Sequence, residues 1–246
     1  MATTSIVVTE TPLVRVALAR ADDALILGHR LSEWTGHAPV LEEELALANI
    51  ALDLIGQARA LYALAGAQTG HDEDQLAFLR DERGYRNLLL VEQPNGDFAT
   101  TIVRQVFFSA FIDPYWRALA AGDEPGLAAI AAKAEKESAY HLRHSAEWLI
   151  RLGDGTDESH TRAQSAVDAL WGFTGELFEP LTDTDPSGFR PVWEAEITTL
   201  LDAATLRAPA GVWMQSGGRA GRHSEHLGHL LAEMQYLQRV HPGAAW

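Results

Sequence analysis

Apolar residues recur at helical spacing along most of the chain. Between Pro12 and Trp34 they fall three or four residues apart, and Asp22 and Asp23 lie off the apolar stripe. The same spacing predicts a second helix from Leu41 to Ala65, with Gly66 just past its end. Both helices are therefore predicted to be long and to bury one face.

Further helices follow in the same way. A short helix is predicted near Asp72 to Arg83, and two long ones run from Phe98 to Ala120 and from about Glu124 to Leu152. Pro114 predicts a kink or break near Asp113, because proline removes a backbone donor and clashes with the preceding turn. The last three predicted helices are Ser159 to Phe178, Pro191 to Leu206 and Glu225 to Arg239.

No segment alternates as a strand does, so the predicted fold class is all-α. The length and spacing of the first four long helices favour an antiparallel four-helix bundle, over about residues 12–153. The later helices, over about residues 159–240, are predicted to pack around that bundle within a single domain. A chain of 246 residues with 47% hydrophobic content can bury a core of this size.

The amino-acid composition argues against several classes of site and function. The chain has no cysteine, which excludes disulfides and thiolate metal sites, and its net charge of −15 argues against nucleic-acid binding. The first residues lack a basic region followed by an apolar one, as a signal peptide requires. Apolar runs are too short to span a bilayer, so no membrane contact and a cytoplasmic location are predicted.

Four-helix bundles of the di-iron carboxylate class take a Glu from each of two helices and a Glu-x-x-His pair from each of the other two. Nowhere in this chain does a Glu stand three residues before a His. The standard iron site is therefore absent from the sequence, although unusual ligand sets remain open.

Weaker polar pairs occupy two of the long helices. Asn49 and Asp53 are the only polar residues between Leu45 and Gly56, and Glu137 and His141 lie one helical turn apart. Each pair is either half of a metal site or part of a buried hydrogen-bond network, and the shortage of carboxylates favours the network. The alternative is an independent di-iron oxygenase built from Asp53, Glu137, His141 and His144.

Two other clusters carry possible chemistry. His223, His226 and His229 lie close together before and within the last helix, where they either bind zinc or serve packing and contacts between protomers. Arg80, Arg83 and Arg86 form a basic group in an acidic chain. They either pair with neighbouring carboxylates or contact an anion such as the phosphate of a nucleotide-like tail.

Several long stretches resemble one known family. They are EWTGHAP (33–39), LALANIALDLIGQAR (45–59), DERGYRNLLLVEQPNGDFA (81–99), YHLRHS (140–145), RLGDGTD (151–157) and EHLGHLLAEMQYLQRV (225–240). The chain is similar over nearly its whole length to the C-subunit family of the bacterial phenylacetyl-CoA epoxidase. Blocks of this length are more specific than any three-residue motif.

The resemblance implies a ferritin-like fold and a non-catalytic subunit of phenylacetate catabolism. It implies a heteromeric complex with a catalytic A subunit that holds iron, and no cofactor in this chain. Asn49, Asp53, Glu137 and His141 then mark a degenerate di-iron centre. Gly84, Tyr85, Arg86 and Asn87 are expected near the CoA portion of a substrate held by the A subunit. A stand-alone storage protein of ferritin type is a further alternative.

Overall fold

The computed structural model describes residues 5–181 and 186–244, and all regular elements within these ranges are helical. The α-helices are α1 (Pro12–Ser32), α2 (Leu41–Thr69), α3 (Glu73–Phe78), α4 (Leu89–Glu92), α5 (Phe98–Ala120), α6 (Pro125–Gly153), α7 (Asp157–Trp171), α8 (Arg190–Ala203) and α9 (Glu225–Val240). The prediction of an all-α fold is confirmed.

Four long helices form the core of the molecule. Helix α1 packs along α2, α5 packs along α6, and α2 meets α6. Helices α2 and α6 run antiparallel, because Asp53 pairs with His141 while Gln57, one turn later, pairs with Glu137. Helices α7 and α8 cover α5 and α6, and α9 packs on α3. This is the ferritin-like bundle with additional helices that the sequence predicts.

Helix α1 is more deeply buried than its sequence pattern predicts. Every residue from 16 to 28 is buried, including Asp22 and Asp23. The interpretation of α1 as a helix with one polar, exposed face is therefore wrong. Buried carboxylates require partners, and the later segments of the chain supply them.

Three predicted boundaries also change. Helix α2 continues past Gly66 to Thr69 and ends at Gly70, whose φ of 75° suits glycine. Helix α5 runs without a break through Pro114, because burial on nearly all sides overrides the local preference. The helix predicted from Ser159 to Phe178 divides into α7 and a separate 3₁₀ turn, Gly175–Phe178.

Across the described ranges, none of the helices combines the length and the apolar character that crossing a bilayer requires.

Candidate functional site

A line of polar side chains joins α2 to α6, and we call it the α2–α6 seam. Its members are Glu43, Asp53 and Gln57 on α2, and Glu137, His141 and His144 on α6. They pair across the helix interface, with 3.1 Å between His141 Nε2 and Asp53 Oδ2 and 2.9 Å between His144 Nε2 and Glu43 Oε2. Gln57 donates to Glu137 Oε2 at 2.9 Å.

His141 is the most deeply buried member of the seam. Burial lowers the pKa of its imidazole below the ordinary value of 6.5, although the hydrogen bond to Asp53 and its charge oppose that shift. Asp53 itself is half-buried. Glu137 also binds Lys133 at 2.9 Å on its solvent side. The seam is therefore a set of separate pairs that reaches from the interior to the surface.

Asn49 lies outside this seam. Its side chain is exposed on the outer face of α2, so the expectation that it joins Asp53 in a buried network is wrong. One helical turn separates the two residues, but Asp53 turns toward α6 while Asn49 turns toward solvent. The seam instead includes Gln57, the next residue at the same spacing after Asp53.

The di-iron centre that the ferritin-like fold implies does not fit these residues. A bridged iron pair requires several carboxylates around one point. Within the described part of the chain, no three His, Asp or Glu side chains converge in a way that could hold a metal ion. The bundle-facing positions Gln105, Ser109, Ser138 and Ser145 are neutral. The four ligands of the independent oxygenase alternative, Asp53, Glu137, His141 and His144, divide among three separate pairs.

A second polar group, which we call the buried ionic cluster, surrounds the middle of α1. It contains the four carboxylates Asp22, Asp23, Glu92 and Glu176, together with Arg20, Arg80, Arg219 and His223. Asp22 pairs with Arg80 and accepts hydrogen bonds from the Tyr62 hydroxyl at 2.5 Å and the Arg86 backbone N–H at 2.7 Å. Asp22 thus links α1, α2 and the segment before α4.

The other carboxylates of the cluster hold the distant ends of the chain together. Asp23 binds both Arg20, at 3.0 Å, and Arg219, at 2.7 Å. Glu176 accepts from the backbone N–H groups of Leu89 and Gly217 at 2.7 and 2.9 Å. These contacts connect α1 and α4 to the loop that precedes α9.

Glu92 and His223 complete the cluster. The carboxylate accepts from His223 Nδ1 at 2.8 Å and from the Ser224 backbone N–H at 2.6 Å, and neither side chain of the pair is exposed. Burial disfavours protonation of His223, but the hydrogen bond and charge of Glu92 outweigh it and raise its pKa above 6.5.

The segment expected beside CoA packs against this cluster. Tyr85 and Asn87 are fully buried, the Arg86 guanidinium binds Glu10 at 2.8 Å, and Gly84 accepts from Arg80 at 3.0 Å. Arg80 is itself buried against Asp22. Of the three arginines predicted as an anion contact, only Arg83 is exposed. The contact with CoA stays a prediction.

The C-terminal histidines do not share a ligand. His223 faces Glu92, while His229 is exposed on α9 and His226 is half-buried. In the described residues no group of three such donors includes them, so they do not form the arrangement that a zinc ion requires, and the packing interpretation stays a prediction.

Comparison with known proteins identifies the family to which this chain belongs. A model of the family described as "Phenylacetic acid catabolic protein" matches residues 1–246. The chain belongs to this family. It is also 51% identical over 245 residues to the C subunit of the 1,2-phenylacetyl-CoA epoxidase of Escherichia coli (strain K12), covering 95% of this chain and 99% of the relative.

Within this phenylacetic acid catabolic family member, the buried ionic cluster is the feature that sequence reasoning missed. Its residues are separated by 58 positions for Arg80 and Asp22, and by 196 for Arg219 and Asp23. The available signal was local: Arg20, Asp22 and Asp23 are the only charged residues between Val16 and Gly28. Such a group indicates burial only when the flanking helix is apolar on every side.

Proposed function

We propose that this protein is the structural, non-catalytic C subunit of a 1,2-phenylacetyl-CoA epoxidase. In this proposal it acts in phenylacetate catabolism, pairs with the catalytic A subunit, and stabilises the fold in which that subunit binds iron. The observation that carries the proposal is the α2–α6 seam, where the bundle is intact and its polar residues bind one another instead of converging on a metal.

The chemistry of the seam supports a scaffold. Each carboxylate in it already accepts a hydrogen bond or an ion pair from a neighbour, and the acceptors lie in three pairs along the interface. Recruiting them to a metal would require breaking these pairs and moving the two helices. The Escherichia coli relative is itself named as one lettered component of an epoxidase, which supports membership in a heteromeric complex.

The test is reconstitution with the A subunit of the epoxidase from the same organism. We expect the two chains to copurify, and iron and epoxidation of phenylacetyl-CoA to be found only when the A subunit is present. The seam variant Asp53→Asn should leave the turnover of the complex unchanged, as should the control variant Glu158→Gln at an exposed position of α7.

Two other results would contradict the proposed function. About two irons per chain in the isolated protein, with turnover in the absence of a partner, would establish the independent oxygenase and overturn the scaffold proposal. A symmetric homo-oligomer without affinity for the A subunit would instead establish the storage-protein alternative.

A further inference from the structure

The outer face of α2 is apolar where a free surface would be polar. Exposed positions recur along it at helical spacing, with Arg59 as the charged one between Gly56 and Ala63, and the six that carry no charge form what we call the α2 stripe: Leu41, Leu45, Asn49, Leu52, Gly56 and Ala63. Leu41, Leu45 and Leu52 are 67%, 57% and 66% exposed. Large apolar side chains on a helix face are normally covered by another element.

The stripe continues onto α6 through the α2–α6 seam. Tyr140 is 43% exposed and stacks on His144, which is bound to Glu43 of α2. Counting Val40, this face carries five of the twelve large apolar side chains that are exposed in the described residues. Scattered apolar residues are ordinary on protein surfaces, but a contiguous group of this size marks an interaction site.

The size of the face matches a stable interface. From Leu41 to Ala63 the stripe is about 33 Å long at the rise of an α-helix. Two adjacent helices are about 20 Å wide, which gives a footprint of about 650 Å². A standard protein–protein interface buries about 800 Å² on each partner, so this face supplies most of one.

Charge identifies the kind of partner. Between Leu45 and Ala63 the exposed positions of α2 include no carboxylate, although the chain has 34 acidic residues. Both lysines of the chain are on α6, where Lys133 is paired with Glu137 of the seam and Lys136 is exposed one helical turn before Tyr140. Arg59 of α2 is paired with Glu73 of α3, and the exposed Arg143 of α6 packs over Tyr140. Lys136 and Arg143 therefore form a basic edge beside Tyr140, which favours a partner that surrounds its apolar contact with carboxylates.

A second copy of this chain fits less well. An isologous dimer would place the same basic edge against itself and would bring together two molecules of net charge −15. Gly56 leaves open space on this face, because an added Cβ there would meet nothing within 4 Å.

We infer that the α2 stripe and the adjoining face of α6 form the docking surface for the catalytic A subunit, through an apolar helix edged with carboxylates. This inference rests on the proposed function, whose partner it assigns to one face. Asn49 and Tyr140 then lie at the interface, with the seam directly beneath it.

The test compares charge insertion on this face with the same change elsewhere. Leu45→Asp/Leu52→Asp should weaken the affinity for the purified A subunit at least about 100-fold, as expected when central apolar anchors are lost. Val192→Asp on α8 is the matched control, because Val192 is 56% exposed, and it should change affinity less than about 3-fold. Lys136→Glu should weaken binding and reduce its dependence on salt.

Circular dichroism of the isolated variants verifies that each one folds, which exposed positions should permit. Wild-type affinity of the Leu45→Asp/Leu52→Asp variant would overturn the docking surface and leave the proposed function intact. Failure of the wild-type chain to bind the A subunit would overturn both. A wild-type homodimer that the double variant converts to monomer would overturn the assigned occupant in favour of a second copy.

Discussion

At the scale of single residues, the Asp22–Arg80 pair combines nearly complete burial with several further partners. Both side chains are almost completely buried, and Asp22 also accepts from Tyr62 and Arg86. Replacing Asp22 with Asn removes the charge but not the shape, and so leaves Arg80 buried without a counter-ion. We expect Asp22→Asn to lower the free energy of unfolding by about 3–5 kcal/mol, measured by urea denaturation.

Glu158→Gln is the matched control for that change. Glu158 also binds an arginine, Arg162, at 2.6 Å, but both side chains are more than half exposed. Exposed pairs contribute about 0–1 kcal/mol, so this variant should unfold almost as the wild type does. Equal effects of the two substitutions would show that burial does not control the strength of these pairs.

The raised pKa of His223 predicts how the free energy of unfolding depends on pH. Its folded-state pKa is raised, because the hydrogen bond and charge of Glu92 outweigh the effect of burial. Protonated His223 therefore contributes stability that is fully present below its ordinary pKa of 6.5 and is lost as pH rises through the folded value.

The measurement is the difference in free energy of unfolding between wild type and His223→Gln across about pH 5 to 9. We expect the wild-type advantage to be largest at the acid end and to shrink above about pH 6.5. His141→Gln is an informative comparison, because burial lowers the pKa of His141 and its contribution should change in the opposite direction. A pH-independent advantage of His223 would contradict the prediction.

At the scale of elements, two glycines of α2 occupy opposite environments. A Cβ on Gly66 would lie 2.1 Å from the carbonyl oxygen of His71, whereas one on Gly56 would meet nothing within 4 Å. Gly66→Ala must displace the turn after α2, and we expect it to cost about 1–3 kcal/mol. Gly56→Ala should stabilise the helix by about 0.5–1 kcal/mol. Thermal unfolding of the two variants would show shifts of opposite sign, and shifts of the same sign would contradict the contact at Gly66.

The same helix shows how far the sequence could be interpreted. Apolar spacing predicted α2 and its start at Leu41, because that signal is local. It could not identify Gly66 as a helical residue in close contact with His71, since glycine is also a common helix terminator. Spacing also grouped Asn49 with Asp53, although only the position of α6 determines which of them is buried.

The elements that spacing describes least well are the most central ones. Helix α1 is buried on every side, and its Asp22 and Asp23 meet partners whose positions in the chain no periodicity predicts. Helix α4 is four residues long, too short to show a period, yet its Glu92 holds the chain that leads into α9. Long-range ionic contacts of this kind become visible only when the packing is known.

At the scale of the whole molecule, the buried ionic cluster and the α2 stripe have different roles: the cluster holds the fold together, and the stripe is the proposed binding surface. The cluster lies inside and holds the bundle to the C-terminal helices, whereas the stripe lies outside and has no covering element in the described residues. The proposed function assigns no chemical reaction to either feature. In the proposed complex it acts by binding, and binding that favours the folded partner stabilises that partner.

This argument predicts that the thermal midpoint of the A subunit rises with the concentration of this chain. At a concentration about 100 times the dissociation constant, the partner should gain about 2.7 kcal/mol of stability. Differential scanning fluorimetry across a titration measures the shift, with the Leu45→Asp/Leu52→Asp variant as the matched control that should produce little of it. A midpoint that stays constant while the two chains copurify would mean that this protein binds its partner without stabilising the partner's fold.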